Sequence, residues 1–182
     1  MMGEKPVFKR LVIAAVFLVV GCTHVTPHSG MPTPTQTFYH VIPIAVNAEK
    51  TDVIINPMQS VSNFNFALDD MTQAYFSRKL NAIGGHDVLA VTLEKCLVTH
   101  SEDKTGILGI GGNDVYHITM RIRLAYKNDV GYTVTGKVLT INRTITVTKH
   151  ASIAMRERAQ LEGVEAMFRT LDTWVDNTLA EL

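Results

Sequence analysis

The sequence predicts an α+β domain: a two-layer sandwich in which two amphipathic helices cover one face of a mainly antiparallel sheet. Three patterns predict it. Tyr116, Ile118, Met120, Ile122, Leu124 and Tyr126 alternate with His117, Thr119, Arg121, Arg123 and Ala125, the period of a strand with one buried and one wet face. Phe64, Leu68, Met71 and Tyr75 recur near helical spacing, as do Leu161, Val164, Phe168, Leu171 and Val175. With 182 residues, 46% hydrophobic and 19% charged, the chain is long enough for one core and too apolar for a disordered polymer.

The elements follow in order. Residues 38–46 are rich in β-branched and aromatic side chains, with Pro43 confining part of the run to an edge or bulge. Residues 52–56 form a second short strand, stopped by Pro57. The first helix is expected over about 65–82, with Ile83 on its apolar stripe and Gly84-Gly85 as the stop. Residues 88–99 read as a strand that is apolar on both faces at first, as a covered central strand would be. A loop is expected over about 101–114, and the alternating strand comes next. Lys127-Asn128-Asp129-Val130-Gly131 is turn chemistry, so the following strand should pair antiparallel.

Within 132–148 the apolar parity changes. Tyr132, Val134 and Val138 share one face, while Leu139, Ile141, Ile145 and Val147 share the other. A one-residue slip swaps faces, so either a bulge near Gly136 or a break into two strands is expected. The last helix carries Met167, Trp174, Leu179 and Leu182 beside its apolar stripe, with Glu162, Glu165, Arg169, Asp172 and Asp176 opposite. Ser152 is a candidate N-cap, with a start several residues later as the alternative. The uncovered sheet face, with its threonines, Arg121 and Arg123, is left for water or a partner.

Charge and cysteine count narrow the function. The 17 basic and 17 acidic residues cancel, so no basic face recommends nucleic acid. Lys5, Lys9 and Arg10 precede the ten-residue apolar run Leu11 to Val20, which is too short for a bilayer span and suits a secretory h-region. Removing residues 1–21 takes away three basic residues and one acid, leaving 14 against 16. Pro27, Pro32 and Pro34 in a Thr/Ser background make 23–37 an extended tether.

Catalytic patterns are missing. His24 and His28 stand in H-x-x-x-H spacing but fall in the Thr/Pro-rich tether and read as solvated; there is no C-x-x-C or G-x-S-x-G, and the glycine-rich stretch 106–112 lacks a phosphate-loop ending. Asp69-Asp70 reads as a solvated helix face, and Cys96 as a small buried hydrophobe. Ile107, Leu108 and Ile110 are apolar residues on a glycine frame where a polar turn is expected. They either fold back over the sheet end or form an insertion tip that contacts a partner or acyl chains.

Val19-Val20-Gly21-Cys22, closing that h-region, resembles the lipobox of bacterial lipoproteins. The resemblance implies cleavage before Cys22, a diacylglycerol on its sulfur and an acyl group on the new N-terminus, with no other cofactor. Thr23 in place of Asp then implies the outer membrane. The domains become 1–21, a signal peptide; 22–37, the lipidated cysteine and tether; and 38–182, a single periplasmic domain. The order of elements further resembles the YajG-like lipoproteins and is similar to the lipopolysaccharide-assembly lipoprotein LptE and to auxiliary lipoproteins of envelope transport. That likeness implies a non-enzymatic envelope assembly or transport accessory, anchored in the membrane by lipid, that binds a protein or lipid partner. A structural lipoprotein subunit of a secretion or motility apparatus is the alternative.

Overall fold

The computed structural model describes residues 41–103 and 111–182. Among them the order is β1 (Ile44–Val46), β2 (Lys50–Ile55), α1 (Leu68–Lys79), β3 (Leu80–Ala82), β4 (Val88–Asp103), β5 (Asn113–Lys127), β6 (Thr133–Thr148) and α2 (Ile153–Glu181). A four-stranded sheet runs β2-β4-β5-β6, and β1 pairs with β3 in a separate two-stranded ladder. The β4-β5-β6 meander is antiparallel; β2 joins β4 in parallel, as β1 joins β3. This is the expected α+β sandwich.

The two helices lie side by side on one face. Tyr116, Ile118, Met120, Ile122 and Leu124 of β5 point at them and are all but sealed from water, as are Val164, Met167 and Leu171 of α2. Tyr75 of α1 meets Phe168 of α2 with ring centroids 5.9 Å apart. The α2 start is the one suggested by Ser152, whose hydroxyl accepts a hydrogen bond from the Met155 amide at 3.3 Å. Gln160 on α2 is fully buried yet satisfied at both ends: its Nε2 donates to the Asn63 carbonyl at 2.9 Å, and its Oε1 accepts from the Asn65 amide at 3.3 Å. Trp174 is only partly buried at the margin of the core, so it is not the sealed anchor that its position on the stripe suggests.

One expectation is corrected and another is decided between its two alternatives. The first helix stops at Lys79, not near Ala82, because Leu80 turns extended and Leu80–Ala82 supplies the pairing that β1 needs. Backbone pairing overrides helical periodicity here, and Ile83 is 64% exposed instead of packed. The β6 segment is one strand throughout, and its extra residue is Val134, since the register shifts where Tyr126 faces Thr135 and Lys127 faces Thr133. This is the bulge expected near Gly136, two residues earlier; at Gly136 itself a Cβ would stand 2.9 Å from the Leu124 carbonyl oxygen. That bulge swaps faces, so Thr133 stands with Lys127 and Thr135 with Tyr126, whereas Val138 lies beyond it on the outer face beside Arg123. From Thr135 onward the odd positions face the helices, while Tyr132 and Val134 are left 72% and 61% exposed. Two boundaries also move outward: β4 runs on to Asp103, and β5 begins at Asn113.

Candidate functional site

The sheet face away from the helices is built by alternation. His117, Thr119, Arg121 and Arg123 of β5 stand beside Thr144, Asn142, Thr140 and Val138 of β6. Thr119 donates to Asn142 at 3.0 Å, and His117 contacts the Thr144 hydroxyl at 3.2 Å. Glu94 occupies a register shift in β4, between Leu93 and Lys95. From there its carboxylate reaches both arginines, accepting from Arg121 Nε at 2.7 Å and from Arg123 Nε. Arg123 and then Arg121, against the cost of burial, hold Glu94 below the usual carboxylate range. On this face Lys50, Lys95, Arg121, Arg123 and Lys127 stand against Asp52 and Glu94.

A second polar cluster lies at the sheet end near the start of α2. Asp114 accepts from Arg156 through Oδ2 and meets His100 Nε2 at 3.0 Å through Oδ1. Arg156 also donates to the Tyr116 hydroxyl at 3.1 Å. The Arg156 guanidinium holds the Asp114 carboxyl below the carboxylate range, with His100 adding to it and burial opposing. A carboxylate locked this way is a strut, and a poor proton acceptor at neutral pH.

Asp114→Asn is expected to cost about 2–3 kcal/mol at pH 7, less than the ~3–5 kcal/mol of a fully buried pair broken from one side. Because the folded-state value is lowered, the contribution of Asp114 is complete above its unfolded value of about 3.9. It is lost as pH falls through the folded value. Urea titrations of both proteins should therefore diverge near neutral pH and converge in acid. A constant difference across that window would sink the assignment.

The third cluster joins the helices. Lys79 is 1% exposed, and its ammonium pairs with Asp172 at 2.7 Å and with Asp176. Tyr75 donates its hydroxyl to the same Asp172 at 2.7 Å. Cys96 is buried, as expected, and burial pushes its thiol up to about 12, so it is no nucleophile at neutral pH. Asp69 accepts from the Met58 amide at 3.0 Å, a structural contact at the start of α1 that the doublet's solvated reading overlooks.

Two hollows accompany these groups. One, of about 430 Å³, lies beside Asn56, Met58, Glu94 and Cys96. The other, of about 590 Å³, opens at the far end of the sheet between Ile44, Val46, Tyr126, Val134, Leu179 and Leu182. Sequence periodicity alone did not reveal the second hollow, because it joins β1, the β6 bulge and the end of α2. Exposed Val130 and Tyr132 on the β5–β6 turn lie at that same end.

Cys22, and Ile107, Leu108 and Ile110, lie outside the described residues. Among the described residues no group of three or more His, Cys, Asp or Glu is placed to hold a metal ion. Among them, too, no helix is long and apolar enough to cross a membrane.

No protein-family model matches the chain, and no curated protein sequence matches it. Among solved structures it is similar to one from Helicobacter pylori described as a neuraminyllactose-binding hemagglutinin homolog. The identity is 8% and the TM-score 0.41, over 77% of this chain and 95% of that one. A likeness at that level carries no functional argument.

Proposed function

We propose that the protein is a non-enzymatic lipoprotein, anchored through Cys22 on the periplasmic face of the outer membrane, that serves envelope assembly or transport by holding a protein or lipid partner. The observation that carries this reading is the lipobox Val19-Val20-Gly21-Cys22 directly after a ten-residue apolar run. Binding is favoured over catalysis because the ionisable clusters close on themselves. Glu94 is shared by two arginines, Asp114 is held by Arg156 and His100, and Lys79 sits between two aspartates. Meanwhile one face of the four-stranded sheet presents threonine, asparagine and arginine side chains, with Ile54 and Val138 among them, and neither described helix covers it.

Cys22→Ala is expected to leave the precursor uncleaved and unlabelled by radioactive palmitate. Normal processing and labelling of that variant would end the lipoprotein reading. Crosslinking in cells followed by affinity recovery then tests the role. Transport or assembly components support the accessory function, and secretion or motility components support a structural subunit instead. Ile107, Leu108 and Ile110 replaced together by Ser should weaken that recovery, with the unfolding midpoint unchanged, if they form an insertion tip.

A further inference from the structure

We propose that the β5–β6 turn is a second, shallow contact with the phospholipid surface, so that the domain rests on the bilayer by the end at which the tether joins it. The inference rests on the lipid anchor proposed above. Val130 and Tyr132 are each 72% exposed and Val134 is 61% exposed, a dense apolar group for a hairpin tip. The tip is also braced internally. Gly131 donates to the Asn128 carbonyl at 2.9 Å, Asn128 donates to the Tyr132 carbonyl at 3.0 Å, and the Tyr132 amide donates to the Asn128 side chain at 2.8 Å. These bonds pair the amides of Asn128, Gly131 and Tyr132, so only the crest amides of Asp129 and Val130 need water or headgroup oxygens, which suits a contact at headgroup depth and no deeper.

Position singles out the occupant. Val134 and Ile44 line the same hollow, and Ile42, just before β1, is 76% exposed. Ile83, 64% exposed, is held at this end by donating its amide to the Val46 carbonyl at 3.1 Å. The chain therefore arrives from Cys22 at the apolar end, with residues 23–40 between. Tethering on that scale keeps the end at a high effective concentration next to the membrane, so a weak contact is enough to orient the domain. Tyrosine is a residue type favoured at the membrane interface. Asp129 at the crest limits the contact to headgroup depth. Lys50 and Lys137 are already paired with Asp52 and Glu181, and Glu49, Asp87 and Asp129 outnumber Lys127, so no basic patch draws the tip to anionic lipid and the contact rests on its apolar side chains.

The test uses the full lipidated chain in vesicles that are mainly phosphatidylethanolamine with a minor share of phosphatidylglycerol. A nitroxide is attached at Val130→Cys, and for reference at Arg158→Cys on the exposed face of α2. Buried Cys96 and acylated Cys22 do not compete for the label. Membrane contact is expected to make the label at 130 relax faster with oxygen than with a water-soluble nickel chelate, and the label at 158 to show the reverse. The same measurement at Tyr132→Cys should agree with that at 130. A label at 130 that prefers the nickel chelate while the protein floats with vesicles overturns the inference and leaves the anchor intact. Shielding from both reagents puts protein against the tip and also overturns it. If the chain does not float and Cys22 takes the label, the anchor itself fails, and the inference with it.

Discussion

Exchanging Asp172 and Asp176 together for alanine is expected to cost about 3 kcal/mol of folding stability. That is the lower end of the ~3–5 kcal/mol for breaking a buried pair from one side. The reason lies in Lys79, whose side chain is 2% exposed while the aspartates are 36% and 50% exposed. Burial alone would lower the Lys79 ammonium, and hydrogen bonds to Asp172 and Asp176 more than offset it, so it stands above its ordinary value. Without them a buried charge has no partner. Adding Lys79→Met should recover most of the loss, leaving about 1 kcal/mol for the lost Tyr75–Asp172 hydrogen bond. A raised lysine contributes fully below its unfolded value of about 10.4 and loses that contribution as pH rises through the folded value. The deficit of the double variant should accordingly shrink in strong alkali. A double variant within about 0.5 kcal/mol of the parent in urea would show that the Lys79 ammonium reaches water.

The second large effect is steric. Gly163 on α2 faces β6 so closely that a Cβ would stand 2.3 Å from Ile145 Cδ1 and 2.5 Å from its Cγ1. Gly163→Leu is expected to cost about 3 kcal/mol, the upper end of ordinary overpacking, since the helix must lift from the sheet. Gly163→Ala should cost less, because a turn of the Ile145 side chain can clear one methyl and the helix gains about 1 kcal/mol in propensity. Ile145→Ala removes the obstructing atoms and should partly rescue Gly163→Leu, a coupling of about 1 kcal/mol or more in a double-mutant cycle. Strict additivity would mean that the two positions do not touch.

Gly163 also marks where legibility in the sequence ends. The alternation of β5 and the stripe of α2 could be read directly, because each element buries one face against a single neighbour. Nothing in the α2 stripe says that one of its buried positions must be empty; that depends on how near β6 comes. The α1 boundary was hidden for a related reason. Leu80–Ala82 continues an acceptable helical pattern, and only its pairing with Ile44–Val46 makes it strand. The candidate surfaces divide in the same way. Arg121 and Arg123 on the open face could be read from alternation, whereas Glu94 joins them only through an irregularity in β4. Gln160, a polar residue fully inside α2's packing face, is explained only by the loop carbonyl and amide that it serves.

The parallel pairs set an order of assembly. A chain emerging N-terminus first makes β1 and β2 early, yet Ile44 waits for Leu80 and Lys50 waits for Val88. The β4-β5-β6 meander closes through short connections, which cost less chain entropy than the long crossovers. The strands nearest the tether are therefore the oldest part of the chain and the last to find their partners. Pulse-labelled amide exchange should register them as late-protected, after the meander has closed.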